Sequence, residues 1–212
     1  MKIGVFDSGI GGEAIAATIR AAFPDATVQT VNDRAHLPYG SRPPAEIVRL
    51  TDAAIQPLLA SDCDVIVLAC NSATAAAIEP LRLTYPEQQF VGLEPMVKPA
   101  AQQTTSRVVA VCATPATLAS DRYRTLKEIY AQNIVVLEPD CRDWATMIEQ
   151  QQLDELIIKN EINDLLLQDV DVIVLACTHY HWIRELIESL VDGKASVLDP
   201  SQAIVERIKS LQ

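Results

Sequence analysis

The heptapeptide DVIVLAC occurs twice in this chain, at 64–70 and again at 171–177. Its apolar centre, VIVLA, is typical of a parallel strand that is buried on both faces of a sheet. Further segments match at an offset of about 105 to 107 positions, half of the chain: 2–9 with 108–115, 27–33 with 134–140, and 90–95 with 195–200. The repeat predicts two similar halves.

Each repeated strand is followed by a helical pattern, such as EAIAATIRAAF after the first strand and ATLASDRYRTLKEIYAQ after its counterpart. Strands that alternate with helices predict a parallel sheet. We therefore expect an α/β protein of two similar small parallel-sheet domains, related by a pseudo-twofold axis. The predicted halves are 1–96 and 97–199, with the crossing near 94–99 and a C-terminal helix, 200–212, packing back on the first half.

The composition limits the partners of this protein. The chain has 212 residues, of which 49% are hydrophobic, and a formal net charge of -11. This balance, without a Lys/Arg run, argues against binding to nucleic acid or to an anionic membrane. The apolar run at the N-terminus is broken by Asp7 and is too short for a signal peptide, and no segment approaches the ~18 apolar residues of a membrane span. We therefore predict a cytoplasmic protein with a small, anionic partner.

Both copies of the heptad end in a cysteine, Cys70 and Cys177, at the sheet edge where ligands of open α/β folds bind. Each cysteine is followed by capping residues that open a helix, 71–74 and 178–180, and a helix N-terminus should lower a thiol pKa from about 8.5. If the halves face each other, the two thiols lie on opposite walls of one cleft. One thiolate can then remove a proton from a carbon while the other thiol protonates its opposite face.

Further candidates lie near the same strand ends. Asp7 ends the first strand, His179 adjoins Cys177, and Tyr39 lies in the turn LPYG. Thr114 and Thr117 occupy the positions of the second half that correspond to 7–11, where they could contact a substrate carboxylate or cap a helix. The remaining cysteines, Cys63, Cys112 and Cys141, have no predicted chemical role, and Cys112 is assigned to the core. His181 is assigned to packing or to the surface.

The motifs FDSGIGG, LPYG, ACNSAT and ACTHY, in this order, resemble the glutamate racemases of the cofactor-independent aspartate/glutamate racemase family. The resemblance runs from Asp7 to Asp199. It implies that Cys70 and Cys177 are the catalytic acid/bases and that Asp7 and His179 assist them. It also implies substrate-binding roles for Asp7, Ser8, Tyr39, Gly40, Asn71, Ser72, Thr178 and His179. Glu149 resembles a further acidic residue of the family, with an open role.

The sequence leaves three alternatives. The same family contains aspartate racemases, whose substrate is one methylene shorter. Gly9, Gly11 and Ala14 satisfy GxGxxA, with Asp33 about 20 residues on, which is the pattern of a Rossmann-type dinucleotide-binding protein. A two-domain protein that closes on an acidic ligand without chemistry would also explain the repeat. We predict a glutamate racemase that supplies D-glutamate for peptidoglycan and uses no metal, nucleotide or pyridoxal phosphate; whether it forms a homodimer stays open.

Overall fold

The computed structural model describes residues 1–211, and the first half of this range forms a four-stranded parallel sheet. Its strands follow the order β2-β1-β3-β4 across the sheet. They comprise β1 (Lys2–Asp7), β2 (Thr27–Asn32), β3 (Val65–Leu68) and β4 (Gln89–Gly92), and the helices between them are α1 (Gly11–Ala22), α2 (Pro44–Ala60) and α3 (Asn71–Thr84). Short 3₁₀ helices at Arg34–His36 and Tyr39–Ser41 connect β2 to α2.

The second half repeats this arrangement with the order β6-β5-β7-β8. Its strands are β5 (Val108–Ala113), β6 (Val135–Leu137), β7 (Val172–Ala176) and β8 (Ser196–Leu198). Its helices are α4 (Val97–Gln103), α5 (Pro115–Leu118), α6 (Asp121–Tyr130), α7 (Trp144–Glu149), α8 (Glu155–Leu166) and α9 (Arg184–Val191), and the last helix of the chain is α10 (Ser201–Lys209).

The two sheets have equivalent strand orders and registers. Val65 of β3 pairs with Ile3 of β1, and Val172 of β7 pairs with Val109 of β5. The two copies of DVIVLAC therefore form the equivalent strands β3 and β7, each beside the first strand of its half. The predicted fold class, two similar parallel-sheet α/β units, is confirmed.

Both faces of each sheet are covered, which explains the continuous apolar strands. In the first sheet, Ile66 and Leu68 pack under α2 and α3, while Val65 and Val67 pack on the side of α1 and α10. Successive side chains point to opposite faces of a strand, so a strand between two helical layers needs an apolar residue at every position. The second sheet is covered in the same way, by α7, α8 and α9 on one face and by α4 and α6 on the other.

Two helical predictions in the second half differ from the structure. The predicted long helix after β5 is divided into α5 and α6, because Ser120 caps a new helix by accepting a hydrogen bond from the Tyr123 N–H at 3.2 Å. The segment after Cys177 is a 3₁₀ helix, Thr178–Ile183, before α9 begins. The predicted capping role of 178–180 is not observed there, because no side chain caps this turn and the Thr178 hydroxyl donates to Asp7 instead.

Helix α10 returns to the first half, where Ile204 and Ile208 pack in the same core cluster as Ile15 and Ile19 of α1. The proposed domain limits at 96/97 and 199/200 stay predictions, and the last residue of the predicted 200–212 helix, Gln212, lies outside the described residues. Within residues 1–211, no helix has the length and apolar character needed to cross a membrane.

Candidate active site

Cys70 connects strand β3 to helix α3 and is buried. It is the N-cap of α3, and its Sγ accepts a hydrogen bond from the Ala73 N–H at 3.5 Å. The Ser8 hydroxyl, which follows the end of β1, donates to the same sulfur at 3.3 Å. The strand end and the helix start therefore hold this thiol among donors that stabilise a thiolate.

Cys177 occupies the equivalent position after strand β7 and is also buried. Its Sγ lies 3.9 Å from Nδ1 of His179, two residues on. The backbone N–H groups of His179 and Tyr180 point toward the thiol and favour its ionised form. The two thiols thus have similar backbone settings but different neighbours: a hydroxyl beside Cys70 and an imidazole beside Cys177.

Both thiols line one cavity of about 430 Å³ between the two halves. The first half contributes Ser8, Tyr39, Gly40, Asn71 and Ser72 to its wall, and the second contributes Thr114, Thr178 and His179. Asn71 is buried, and both its side-chain oxygen and its nitrogen lack hydrogen-bond partners within the described chain. A buried amide without partners is costly unless a ligand or water satisfies it. The cavity therefore suits a small polar molecule.

Burial dominates the acidity of both thiols. Together with the nearby Asp7 carboxylate, it raises the pKa of Cys70 to about 11, against the smaller lowering effects of Ser8 and the helix N-terminus. Burial likewise raises the pKa of Cys177 well above its usual range. The prediction that the helix N-terminus lowers the thiol pKa is therefore wrong for the free protein, because loss of solvation outweighs the few N–H groups.

His179 is held from its far side by Glu149, whose Oε2 lies 2.8 Å from His179 Nε2. The same oxygen accepts a hydrogen bond from the Ile10 N–H at 3.1 Å, across the boundary between the halves. Burial raises the pKa of Glu149, but the Ile10 N–H and His179, with the Arg34 charge, hold it below its usual range. Glu149 can thus orient the imidazole that adjoins Cys177.

Further contacts join the two halves around the cavity. Asp7 accepts a hydrogen bond from the Thr178 hydroxyl at 3.0 Å, and the hydroxyls of Ser72 and Thr114 lie 2.9 Å apart. Thr117 lies 3.2 Å from Thr114. Asp7 and Thr117 have no exposed surface, and each contacts a residue of the cavity wall. These two predicted site residues therefore lie behind that wall, and burial raises the pKa of Asp7.

Tyr39 and Gly40 contribute the turn LPYG to the first-half wall. The Tyr39 hydroxyl donates to Asp33 Oδ2 at 2.7 Å, and its ring packs against Phe6 with centroids 6.2 Å apart. A Cβ on Gly40 would come within 2.7 Å of Thr114, so only glycine allows this loop to approach the second half. The turn LPYG is therefore part of the contact between the halves.

The glycine loop after β1 contacts protein rather than open space. A Cβ on Gly11 would lie 2.4 Å from the Thr178 hydroxyl oxygen, and one on Gly9 would lie 2.7 Å from His179. In dinucleotide-binding proteins the equivalent glycines admit a pyrophosphate at the helix N-terminus. Here the second half fills that space, which argues against the Rossmann-type alternative.

Several cavity residues were not predicted from the sequence. The stretch before and within α7 contributes Arg142, Asp143, Ala145 and Thr146. Nothing in the pattern of DCRDWATMIE distinguishes these positions from an ordinary exposed helix start, and the sequence indicates only Glu149 within this stretch. The other cysteines lie in the hydrophobic cores: Cys112 and Cys141 pack in the same cluster as Cys177, and Cys63 packs in the core of the first half. His181 is mostly buried and lies 3.8 Å from Asp199.

A cleft between two duplicated α/β halves, with one thiol from each, defines a class of enzymes that can act on both faces of one carbon. A family model described as Asp/Glu/Hydantoin racemase matches residues 13–208. The chain belongs to this family, so the predicted family and the predicted enzyme class, a racemase, are confirmed.

The similar proteins include curated and solved members of this family. A glutamate racemase of Roseiflexus sp. (strain RS-1) is 37% identical over 213 residues, which cover 99% of this chain and 78% of that protein. A glutamate racemase of Ectopseudomonas mendocina (strain ymp) is also 37% identical, and the match covers 99% of this chain and 81% of that protein. The crystal structure of Escherichia coli glutamate racemase, in complex with L-glutamate and the activator UDP-MurNAc-Ala, matches with a TM-score of 0.90 and 26% identity over 99% of this chain and 81% of that one.

Proposed function

We propose that this protein is a glutamate racemase in which Cys70 and Cys177 are the two acid/base groups. The observation that carries the proposal is the placement of both thiols, from equivalent strand ends, on one cavity between the halves. The curated relatives described above carry the same activity in their names. We also propose Ser8, Asn71, Ser72, Thr114 and Thr178 as substrate contacts, because their polar groups line this cavity.

The proposed reaction needs one thiolate and one thiol. The thiolate on one wall takes the α-proton and becomes a thiol, which leaves a carbanion at the α-carbon. The thiol on the other wall then donates its proton to the opposite face and becomes a thiolate, so that the enantiomer is inverted and the total number of protons is unchanged. The next turnover in the same direction requires solvent to restore both protonation states.

The difficult part of this reaction is the carbanion, which is far more basic than a thiolate. Most of the required stabilisation must come from fixed donors in a site that excludes water. The amide of Asn71 and the hydroxyls of Ser8, Ser72 and Thr178 are already positioned in a buried wall. They can bind the carboxylates and the developing negative charge without reorganising.

The substrate is tested by assaying purified protein with both enantiomers of glutamate and of aspartate. We expect interconversion of the glutamate enantiomers, followed by circular dichroism, with kcat/KM above that for aspartate by about 10- to 100-fold, since one methylene contributes about 1 to 3 kcal/mol to discrimination. A ratio that favours aspartate would replace the proposed substrate by the alternative within the family. Inactivity toward all four compounds would instead favour a binding protein.

The two-wall mechanism is tested by racemisation in deuterium oxide, quenched at early times and analysed by mass spectrometry after separation of the enantiomers. We expect deuterium at the α-carbon of the inverted product from the first turnover, while the remaining starting enantiomer stays largely protiated. The reason is that the new hydrogen comes from a thiol that has already exchanged with solvent. Equal labelling of both enantiomers would indicate a single shared base.

The cellular role rests on the same proposal. A glutamate racemase supplies D-glutamate for peptidoglycan, and we propose this role, in the cytoplasm, for this protein. The expected independence of metal and pyridoxal phosphate is tested by dialysis against a chelator and against hydroxylamine, after which activity should be retained. Light scattering of the purified protein tests whether it forms a homodimer.

A further inference from the structure

Arg34 lies outside every motif discussed above, yet it contacts the site from the first half. It begins the 3₁₀ helix after β2, and the preceding Asp33 N–H donates to the Asp7 carbonyl at 2.9 Å, which anchors the segment at the end of β1. The Arg34 Nε donates to Glu149 Oε1 at 2.9 Å. The arginine side chain is 62% exposed, whereas that of Glu149 is only 12% exposed. An exposed cation thus pairs with a mostly buried carboxylate.

Both oxygens of Glu149 contact the first half, and one of them also contacts His179. Oε1 accepts from Arg34, and Oε2 accepts from the Ile10 N–H and contacts His179 Nε2. With both oxygens engaged, the carboxylate cannot rotate away from His179 without losing a charge-assisted hydrogen bond. The line of contacts then ends at Cys177, 3.9 Å from His179 Nδ1.

The other thiol has different neighbours. The contacts of Cys70 are the Ser8 hydroxyl and the N–H groups at the start of α3, none of which contacts Arg34 or Glu149 in the described chain. The side chains that contact the two thiols are therefore separate, and the Asp7 carboxylate is a charge that both Cys70 and His179 share. Because Arg34 pairs with Glu149 and not with Asp7, a change at Arg34 should act on the wall that carries Cys177.

The geometry points to Arg34 as a positioning residue that acts through Glu149 and His179 on the proton transfers of Cys177 and not on those of Cys70. This inference rests on the proposed racemase function and extends it. It assigns to an exposed residue of the first half a role in orienting the acid/base group of the second half.

The test uses Arg34→Met, which removes the charge, and Arg34→Lys, which keeps it. Because the two enantiomers have equal free energies, kcat/KM must fall equally in both directions for any variant, and it cannot report which thiol is affected. The primary isotope effect on kcat/KM can report this. It is measured with each enantiomer deuterated at the α-carbon. It shows how far proton transfer to the thiol that deprotonates that enantiomer limits the rate. The Cys177→Ala variant assigns the enantiomers, since in it only the one deprotonated by Cys70 should still exchange its α-hydrogen.

For Arg34→Met we expect kcat/KM to fall by about 1.4- to fivefold, which corresponds to the ~0.2–1 kcal/mol of an exposed ion pair. The isotope effect should rise for the enantiomer that Cys177 deprotonates and fall for the other. Arg34→Lys should restore part of both changes. In a Glu149→Ala background the Arg34→Met substitution should have no further effect, because the acceptor through which Arg34 acts is lost.

Arg124→Met is the matched control, since the Arg124 side chain is also 62% exposed and pairs with a carboxylate, Asp121, on the distant helix α6. It should leave both isotope effects unchanged. Thermal unfolding checks that Arg34→Met is folded. If the two isotope effects of the folded variant change in the same direction or do not change, the inference is wrong. If the wild-type protein does not racemise glutamate in this assay, the failure lies with the proposed function and not with Arg34.

Discussion

At the scale of the residue, the two strand-end thiols differ from the other cysteines by what surrounds them. Cys70 and Cys177 face a cavity with polar groups, whereas Cys63 packs among apolar side chains of the first core. We expect Cys70→Ala and Cys177→Ala each to lower kcat by about 10²- to 10⁴-fold or more, which is what a positioned acid/base group contributes. Cys63→Ala is the matched control, and its kcat should stay near that of the wild type. A strand-end variant that keeps its rate would overturn the assignment.

Burial of the thiols also predicts how the rate depends on pH. Because burial raises the pKa of Cys70 to about 11 and also raises that of Cys177, both thiols are neutral at pH 7 in the free protein. Only the thiolate can remove a proton, so kcat/KM should increase between pH 6 and 8.5 by up to about tenfold per pH unit. A profile that is flat over this range would show that one thiol is already ionised before substrate binds.

At the scale of the element, the first residue of the repeated heptad has an explanation of its own. Asp64 accepts a hydrogen bond from the Lys2 N–H at 2.6 Å, at the start of β1. Asp171 accepts from the Thr105 and Ser106 N–H groups at 2.6 and 2.8 Å, just before β5. Each aspartate thus fixes the beginning of the neighbouring first strand. The heptad carries a structural residue at one end and a chemical residue at the other.

The two aspartates should contribute unequally to stability. Asp171 also accepts hydrogen bonds from the hydroxyls of Thr104 and Thr105, and these bonds hold its pKa far below the usual range despite partial burial. We expect Asp171→Asn to lower the free energy of unfolding by about 1–2 kcal/mol, and Asp64→Asn to lower it by less. A carboxylate whose pKa is depressed in the folded protein stabilises the fold at pH values above its unfolded pKa, and this stabilisation is lost as the pH falls. The wild type should therefore lose the stability contributed by Asp171 below about pH 4. Denaturant unfolding at pH 7 and pH 3 would show whether the difference in free energy of unfolding between the wild type and Asp171→Asn is smaller at pH 3.

The sequence predicted these elements because the information for them is local. A repeated apolar heptad determines a buried strand, and the offset between copies places each one in an equivalent sheet. The division of the helix after β5 could have been predicted from Ser120, a favoured N-cap residue, but the apolar pattern runs through it. The 3₁₀ helix after Cys177 had no such signal, because its dihedral angles depend on packing against the other half.

At the scale of the whole molecule, the cleft is formed by contacts that no local pattern contains. Asp7 and Thr178 are 171 positions apart, and the residues of α7 reach the cavity only because the two halves face each other. The sequence indicated Cys70 and Cys177 through the repeat. It could not indicate Arg142 or Arg34, because an exposed arginine near a helix is ordinary until its spatial neighbours are known.

Arg142 bears on how a negatively charged protein binds a negatively charged substrate. The formal net charge is -11, and Arg142 is the one Lys or Arg among the residues of the described chain that line the cavity with the two thiols. Its Nε is paired with Asp140 Oδ1 at 2.8 Å. The guanidinium is mostly exposed, so its attraction for a carboxylate should be modest and sensitive to salt.

The two members of this ion pair should therefore have opposite effects on substrate binding. We expect Arg142→Gln to raise the KM for glutamate by about two- to fivefold at low ionic strength, since the guanidinium attracts the carboxylates of the substrate through water. Asp140→Asn should lower KM, because it removes the negative charge that competes with the substrate carboxylates for the guanidinium. Both differences should shrink in about 1 M salt, where the screening length is ~3 Å. Arg124→Gln changes the net charge as Arg142→Gln does, but on distant α6, so a similar KM increase in that control would assign the effect to total charge rather than to Arg142.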